Sequence, residues 1–123
     1  MGDGSAIVER YKQALQNQDM SVLDEIYADD AVQEWPQSGE RIVGKANIKA
    51  INENYPGFPK ATERRTMGSG DIWILETELD YDGQRFNSVS ILEIKDGKIA
   101  KETDYFGSPF EAPEWRSQWV EKS

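Results

Sequence analysis

The sequence predicts an α+β domain in which helices cover one face of a curved, mainly antiparallel sheet. Apolar residues recur with helical spacing before Ala61 and alternate as in strands after it. Two dipeptides, Asp82-Gly83 and Asp96-Gly97, separate extended runs and are typical of two-residue hairpin turns. We therefore expect the helices first along the chain and the main sheet after them.

Length and composition limit the number of domains and exclude several classes of site and partner. With 123 residues, the chain fits one domain (1–123), with a core at about 6–107 and a tail at 108–123. Cysteine and histidine are absent, which removes disulfides, thiolate metal sites and histidine bases. The net charge of −9 disfavours nucleic acids and anionic membranes. We find no membrane-length apolar run, and Met1-Gly2-Asp3-Gly4 does not resemble a signal peptide, so we expect a cytoplasmic protein that needs no cofactor or metal.

Two helices are expected before residue 31. Ser5 is a candidate cap for the first helix, whose apolar stripe includes Tyr11. The segment Ser21-Val22-Leu23-Asp24 resembles a capping box and predicts a second helix that closes at Asp29-Asp30.

The remaining elements are a third helix and five strands. A short strand, Ala31–Trp35, precedes the third helix, which starts after Gly44 and ends at the segment 56–59 with its two prolines. The four longer strands are expected at Ala61–Gly68, Ile72–Tyr81, Gln84–Ile94 and Lys98–Phe106.

The turns decide which side chains face the helices. A two-residue turn at Asp82-Gly83 pairs Tyr81 with Gln84. In the last hairpin, a two-residue loop places Asp104 opposite Val89, whereas a three-residue loop with a glycine bulge places it opposite Ser88. In the bulged register the helix-covered face consists of Trp73, Leu75, Thr77, Leu79, Phe86, Ser88, Ser90, Leu92, Ala100, Glu102, Asp104 and Phe106.

The opposite face is too apolar for plain solvent exposure. We expect it to form a homodimer through the sheet; the alternative is a monomer with scattered apolar surface residues. Its apolar members are Ile72, Ile74, Val89, Ile91 and Tyr105, among Glu76, Glu78, Glu93 and Lys101.

Five short stretches resemble the nuclear transport factor two-like family, also called SnoaL-like or ketosteroid-isomerase-like, over about residues 6–107. They are Ile7-Val8-Glu9-Arg10-Tyr11 with Ala14-Leu15, Tyr27-Ala28-Asp29-Asp30-Ala31, Trp35-Pro36, Val43-Gly44-Lys45-Ala46-Asn47-Ile48, and Asp96-Gly97-Lys98-Ile99 leading to Asp104-Tyr105-Phe106-Gly107. The resemblance implies a cone-shaped, cystatin-like sheet around an apolar pocket, and dimerisation through sheets. The family hosts unrelated functions, so the pocket residues must decide the chemistry.

The resemblance also suggests roles for individual residues. Tyr11 stands where ketosteroid isomerase has a tyrosine that donates to the developing enolate, and Ser90 stands at its second donor. Trp35 replaces that enzyme's general-base aspartate. The segment Asp104-Tyr105-Phe106 is similar to the last strand of limonene-epoxide hydrolase, where the aspartate helps activate water. That hydrolase's Arg-x-Asp corresponds to Glu76-Thr77-Glu78, which we expect on the outer face.

Asp104 and Tyr11 are the candidate catalytic residues. A carboxylate on a sheltered apolar face loses hydration, which raises its pKa and suits it to proton transfer, with Tyr11 as oxyanion donor. The alternative is a structural hydrogen bond. Glu102 shares the face of Asp104. If both point inward, one of them is protonated at neutral pH; we favour the alternative, a solvated Glu102 near the rim, because two buried carboxylates are costly.

Further candidates line the predicted cavity. Trp35 either stacks on a flat ligand or fills its space, and Tyr55 and Phe58 border the mouth or belong to the core. After Pro113 a short helix is expected, with Trp115 and Trp119 on one side, where they either close the mouth of the cone or bind the outside of the sheet. We favour packing over a ligand role for this pair. The candidate substrate-binding residues are Gln33, Trp35, Leu75, Thr77, Ser88, Ser90, Leu92, Glu102 and Phe106.

Two functions remain open from the sequence. One is a cofactor-free enzyme that isomerises, cyclises or hydrates a small, mostly apolar molecule carrying a carbonyl or hydroxyl group. The other is a ligand-binding or assembly module without chemistry.

Overall fold

The computed structural model describes residues 4–121 and confirms the α+β class, with helices against one curved, open sheet. The helices are α1 (Ser5–Asn17), α2 (Leu23–Ile26) and α3 (Lys45–Glu53), and the strands are β1 (Tyr27–Trp35), β2 (Glu40–Val43), β3 (Lys60–Ser69), β4 (Ile72–Tyr81), β5 (Gln84–Lys95) and β6 (Lys98–Gly107). The six strands lie in the order β2-β1-β6-β5-β4-β3, and every neighbouring pair is antiparallel except β1 and β6.

Two expectations concern targeting and membrane crossing. Of the segment tested for a signal peptide, Met1-Gly2-Asp3 lies outside the described residues. Between residues 4 and 121, no helix is both long enough and apolar enough to cross a membrane.

The first two helices differ from the prediction at their ends. Gly4 occupies the N-cap position of α1, so Ser5 is the first helical residue rather than the cap. A 3₁₀ turn precedes α2, which ends at Ile26 instead of Asp29-Asp30. The chain becomes extended at Tyr27, and β1 is therefore longer than the expected strand. Sequence analysis also missed β2, a four-residue edge strand.

The central hairpin has the expected register, with Tyr81 opposite Gln84. Both turn residues have positive φ, 53° at Asp82 and 92° at Gly83, a backbone conformation that aspartate tolerates and glycine adopts freely.

The last hairpin corrects the predicted register. A two-residue turn pairs Lys95 with Lys98, and the bulge is at Ala100 instead of in the loop. Asp104 therefore lies opposite Ser90, not Ser88 or Val89. This bulge also shifts the pairing by one residue, so Asp104 still faces the helices, as expected. Near the bulge, the fully buried residue is Ile99 rather than Ala100.

The core lies between the helices and the inner face of the sheet. Helix α1 contributes Val8, Tyr11 and Ala14 to it, and α3 contributes Ile48. On the outer face, Ile72 and Tyr105 are exposed. The polar residues at the centre of the inner face, Thr77, Ser88, Glu102 and Asp104, are buried as well, so the helices cover this centre.

The tail does not pack as expected. Glu114–Trp119 forms a 3₁₀ helix, in which residues four apart no longer share a side because a turn takes three residues. Trp115 and Trp119 are 73% and 72% exposed, so the predicted anchoring is wrong within this chain.

Candidate active site

A cavity of about 150 Å³ lies between the helices and the inner face of the sheet. Its base is polar and its walls are mostly apolar. The residues around it are Tyr11, Ala14, Leu15, Leu23, Ile26, Tyr27, Gln33, Trp35, Ile51, Asn52, Tyr55, Phe58, Pro59, Thr77, Leu79, Tyr81, Ser88, Ser90, Glu102, Asp104 and Phe106.

Asp104 lies on β6, and its side chain is 6% exposed. The indole N–H of Trp35 donates to Asp104 Oδ2 at 3.1 Å. Among the described residues, Asp104 Oδ1 is the one buried side-chain oxygen or nitrogen without a hydrogen-bond partner. Since buried polar atoms are normally paired, this oxygen is available to a bound molecule.

Glu102 precedes Asp104 by two residues on the same face of β6 and is 2% exposed. Two tyrosine hydroxyls contact its carboxyl oxygens: Tyr11 lies 2.9 Å from Oε2 and Tyr27 lies 2.5 Å from Oε1. The Gln33 amide N–H donates to the Tyr27 hydroxyl oxygen at 3.1 Å. Glu102 is therefore buried in a hydrogen-bonded cluster, and the expected position at a solvated rim is wrong.

The two carboxyls, Glu102 and Asp104, have no cationic side chain beside them in the cavity lining. The residues lining the cavity include no lysine or arginine. Burial raises the pKa of Glu102 well above its usual value and the neighbouring Asp104 raises it further, although the Tyr27 and Tyr11 hydroxyls act against this rise. Burial also raises the pKa of Asp104, although the Trp35 N–H and the neighbouring Glu102 and Ser90 act against this rise. Two buried carboxyls on one face of β6, with no cationic side chain in the cavity lining, therefore favour a state in which the pair shares a single negative charge.

Aromatic rings form the mouth. Tyr55 and Phe58 stack with centroids 5.2 Å apart, and the hydroxyls of Tyr55 and Tyr81 lie 2.6 Å apart. Trp35 meets Phe106 edge to face at 6.5 Å. An outer apolar cleft of about 480 Å³ shares these walls with the cavity, so a ligand larger than the inner space could extend outward.

Most of the candidate residues do line the cavity, but two do not. Leu75 and Leu92 are buried in the core outside it. Glu76 faces outward, where it accepts a hydrogen bond from Arg65 Nε at 2.8 Å, so the arginine-aspartate pair of the hydrolase has no counterpart at this position.

Sequence analysis did not single out Tyr27 as a site residue, because it assigned Tyr27 to a helix. If the strand had been predicted to begin at Tyr27, alternation along it would have placed Tyr27 on the same buried face as Gln33. That shared face was the signal that could have identified Tyr27.

Comparison with known proteins identifies a family and several similar structures. Residues 8–102 match the SnoaL-like domain family. An NTF-2 like protein from Burkholderia xenovorans LB400 is 42% identical, with a TM-score of 0.86 over 98% of this chain and 94% of that one. A candidate ketosteroid isomerase from Kribbella flavida DSM 17836 is 28% identical, with a TM-score of 0.89 over 98% and 89% of the two chains. An LEH-like epoxide hydrolase from M. tuberculosis is 27% identical, with a TM-score of 0.69 over 84% and 81%. No curated protein matches the chain significantly.

Proposed function

Because the chain belongs to the SnoaL-like domain family, we propose that its cavity binds a small, mostly apolar molecule with a carbonyl or hydroxyl group, on which Asp104 moves a proton. The observation that carries this proposal is the unpartnered Oδ1 of Asp104, buried in the wall of the cavity. A buried carboxylate with a free acceptor oxygen and a raised pKa is suited to act as a base near neutral pH.

The step can be written for a ketone. Asp104 Oδ1 takes a proton from the carbon next to the carbonyl, and the electron pair of that C–H bond forms a carbon–carbon double bond. The carbonyl π pair moves onto oxygen, where the Tyr11 hydroxyl stabilises the negative charge. Protonated Asp104 then returns the proton to the same carbon. In a ketone with a double bond between its β and γ carbons, the enolate extends to the γ carbon, and returning the proton there moves the double bond and isomerises the substrate.

The fold relatives bearing isomerase and epoxide hydrolase names support this class of reaction without fixing it. Trp35 occupies the position at which the isomerase resemblance expects the base, and Asp104 approaches the cavity from a different strand. Epoxide opening is less favoured because Glu76 lies outside the site. Proton abstraction next to a carbonyl is therefore our first choice.

The test uses 2-tetralone, an apolar ketone with exchangeable protons next to its carbonyl. In deuterium oxide, we expect the protein to accelerate exchange of these protons above the buffer rate, as followed by proton NMR. Binding without acceleration would favour the second function, a ligand-binding module. This function is the second candidate because the chain has neither the complete ketosteroid isomerase residues nor the complete limonene-epoxide hydrolase residues.

Ligand charge gives a separate prediction. Since the cavity holds two carboxyls and its lining includes no cationic side chain, anions should be excluded. We expect 2-tetralone to raise the melting temperature and 2-naphthoate, a carboxylate of similar size, to leave it unchanged. Stabilisation by 2-naphthoate that disappears in Asp104→Asn would contradict this view of the site.

We also propose that two copies associate through the outer face of the sheet. Ile72 on this face is 54% exposed, and Val43 at the far edge of the sheet is 55% exposed. Because their exposures are nearly equal, Ile72 can serve as the test position and Val43 as the control. We expect Ile72→Asp to weaken the dimer in sedimentation experiments and Val43→Asp to have little effect. A wild-type monomer at high concentration would refute the dimer.

A further inference from the structure

A chain of four polar side chains, Gln33, Tyr27, Glu102 and Tyr11, runs behind the cavity. We propose that Glu102 holds a proton and donates it to the Tyr11 oxygen, so that the Tyr11 O–H group points at the ligand. This inference rests on the proposed function, because it explains how Tyr11 can act as the oxyanion donor. It assigns positioning roles to Glu102, Tyr27 and Gln33.

The first step follows from the donors available. The Gln33 amide nitrogen can only donate, and it lies closer to the Tyr27 oxygen, at 3.1 Å, than to Glu102 Oε1, at 3.4 Å. Tyr27 has a single hydroxyl proton, and its other close partner is Glu102 Oε1 at 2.5 Å. Tyr27 therefore donates to Oε1, which acts as the acceptor oxygen of the acid.

The second step concerns Glu102 Oε2, which lies 2.9 Å from the Tyr11 oxygen. Either Tyr11 donates to a carboxylate, or a carboxylic acid donates to Tyr11. Because both carboxyls are buried and the cavity lining holds no cationic side chain, ionising both is costly, and we place one proton on the pair.

The position of the charge selects between the two arrangements. Glu102 is the more deeply buried carboxyl, while Asp104 has the Trp35 N–H and an oxygen free for a ligand. The negative charge is therefore placed on Asp104, and the proton on Glu102 Oε2. Both tyrosine hydroxyls can rotate, so their proximity to Glu102 does not require it to be ionised.

Tyr11 and Asp104 then have different hydrogen-bonding roles in the cavity. Tyr11 accepts from Glu102, and its own proton is left for the ligand. Asp104 accepts at the other side. The inner chamber thus offers one donor and one acceptor, which matches a carbonyl oxygen beside a C–H group.

The first experiment needs no ligand. In the full-length protein with isotope-labelled carboxyl carbons, the Glu102 signal is assigned by its loss in Glu102→Gln, and the Asp104 signal by its loss in Asp104→Asn. We expect Glu102 to give the chemical shift of a protonated acid at neutral pH and Asp104 that of a carboxylate. An ionised Glu102 would overturn the inference, whatever the protein binds or catalyses.

The second experiment compares the affinity for 2-tetralone with that for tetralin, the hydrocarbon without the carbonyl. One hydrogen bond from Tyr11 should favour the ketone by roughly 3–10-fold. Tyr11→Phe should abolish this preference. Glu102→Gln should preserve it, because the amide can donate to Tyr11 and accept from Tyr27.

The opposite arrangement gives a different pattern. If Glu102 were a carboxylate holding the Tyr11 proton, wild type would show little preference for the ketone, and Glu102→Gln would increase it. If neither compound binds, the proposed function loses support, and the NMR experiment alone decides the protonation of Glu102.

Discussion

Asp104→Asn is expected to reduce proton exchange in 2-tetralone by about 10²–10⁴-fold, the usual contribution of a general base. The amide cannot accept the proton, but it is nearly the same size and can still accept a hydrogen bond from the Trp35 N–H. Affinity for 2-tetralone should therefore change by only a few-fold. The measurements are the NMR exchange rate and the dissociation constant, with Glu76→Gln as the control carboxyl on the outer face.

The same variant separates a catalytic from a structural role. Burial raises the pKa of Asp104 in the folded state, so its stabilising contribution is complete below the unfolded pKa of about 3.9. That contribution is lost as the pH rises through the folded pKa. At neutral pH, Asp104→Asn should therefore be at least as stable as wild type in urea unfolding, and the difference should shrink toward acidic pH. A variant that fails to fold would support a structural role for Asp104.

Ile48→Ala is expected to lower the free energy of unfolding by about 2–5 kcal/mol, the range for truncating a large buried aliphatic residue. Ile48 is 1% exposed and attaches α3 to the core. Ile51, on the same helix, is 37% exposed and gives a matched control, for which we expect a loss of about 1 kcal/mol.

The effect should extend to the cavity. Ile51, Asn52 and Tyr55, in α3 and just after it, line the cavity, so a loosened helix should also weaken ligand binding in Ile48→Ala. Urea unfolding and titration with 2-tetralone measure the two effects. Equal losses of stability in Ile48→Ala and Ile51→Ala would contradict the assigned role of Ile48 as the anchor.

The sheet could be predicted from the sequence because its turns carry local signals. The pair Asp82-Gly83 specifies the central register through backbone conformations that few other dipeptides adopt. The bulge at Ala100 has no comparable signal, since it depends on how Ile99 and the rest of β6 pack beneath the helices. The correct face was predicted for Asp104 although its cross-strand partner was not.

The polar cluster was harder to predict than the sheet. Sequence reasoning judged Glu102 by the cost of burying a second carboxyl, and that cost is real. The structure offsets it with Tyr11, Tyr27 and Gln33, which come from a helix and a strand far away in the sequence. These hydrogen bonds are tertiary contacts between distant parts of the chain, and the spacing of residues along the sequence does not predict them.

A crystal structure of the protein with 2-naphthol, a stable analogue of the enol of 2-tetralone, tests the central claim most directly. We expect the naphthol hydroxyl to lie within hydrogen-bond distance of Tyr11 and the ring carbon beside it to face Asp104 Oδ1. A ligand bound only outside the cavity, or bound inside with Asp104 turned away from it, would contradict the assignment of Asp104 as the proton-transfer residue.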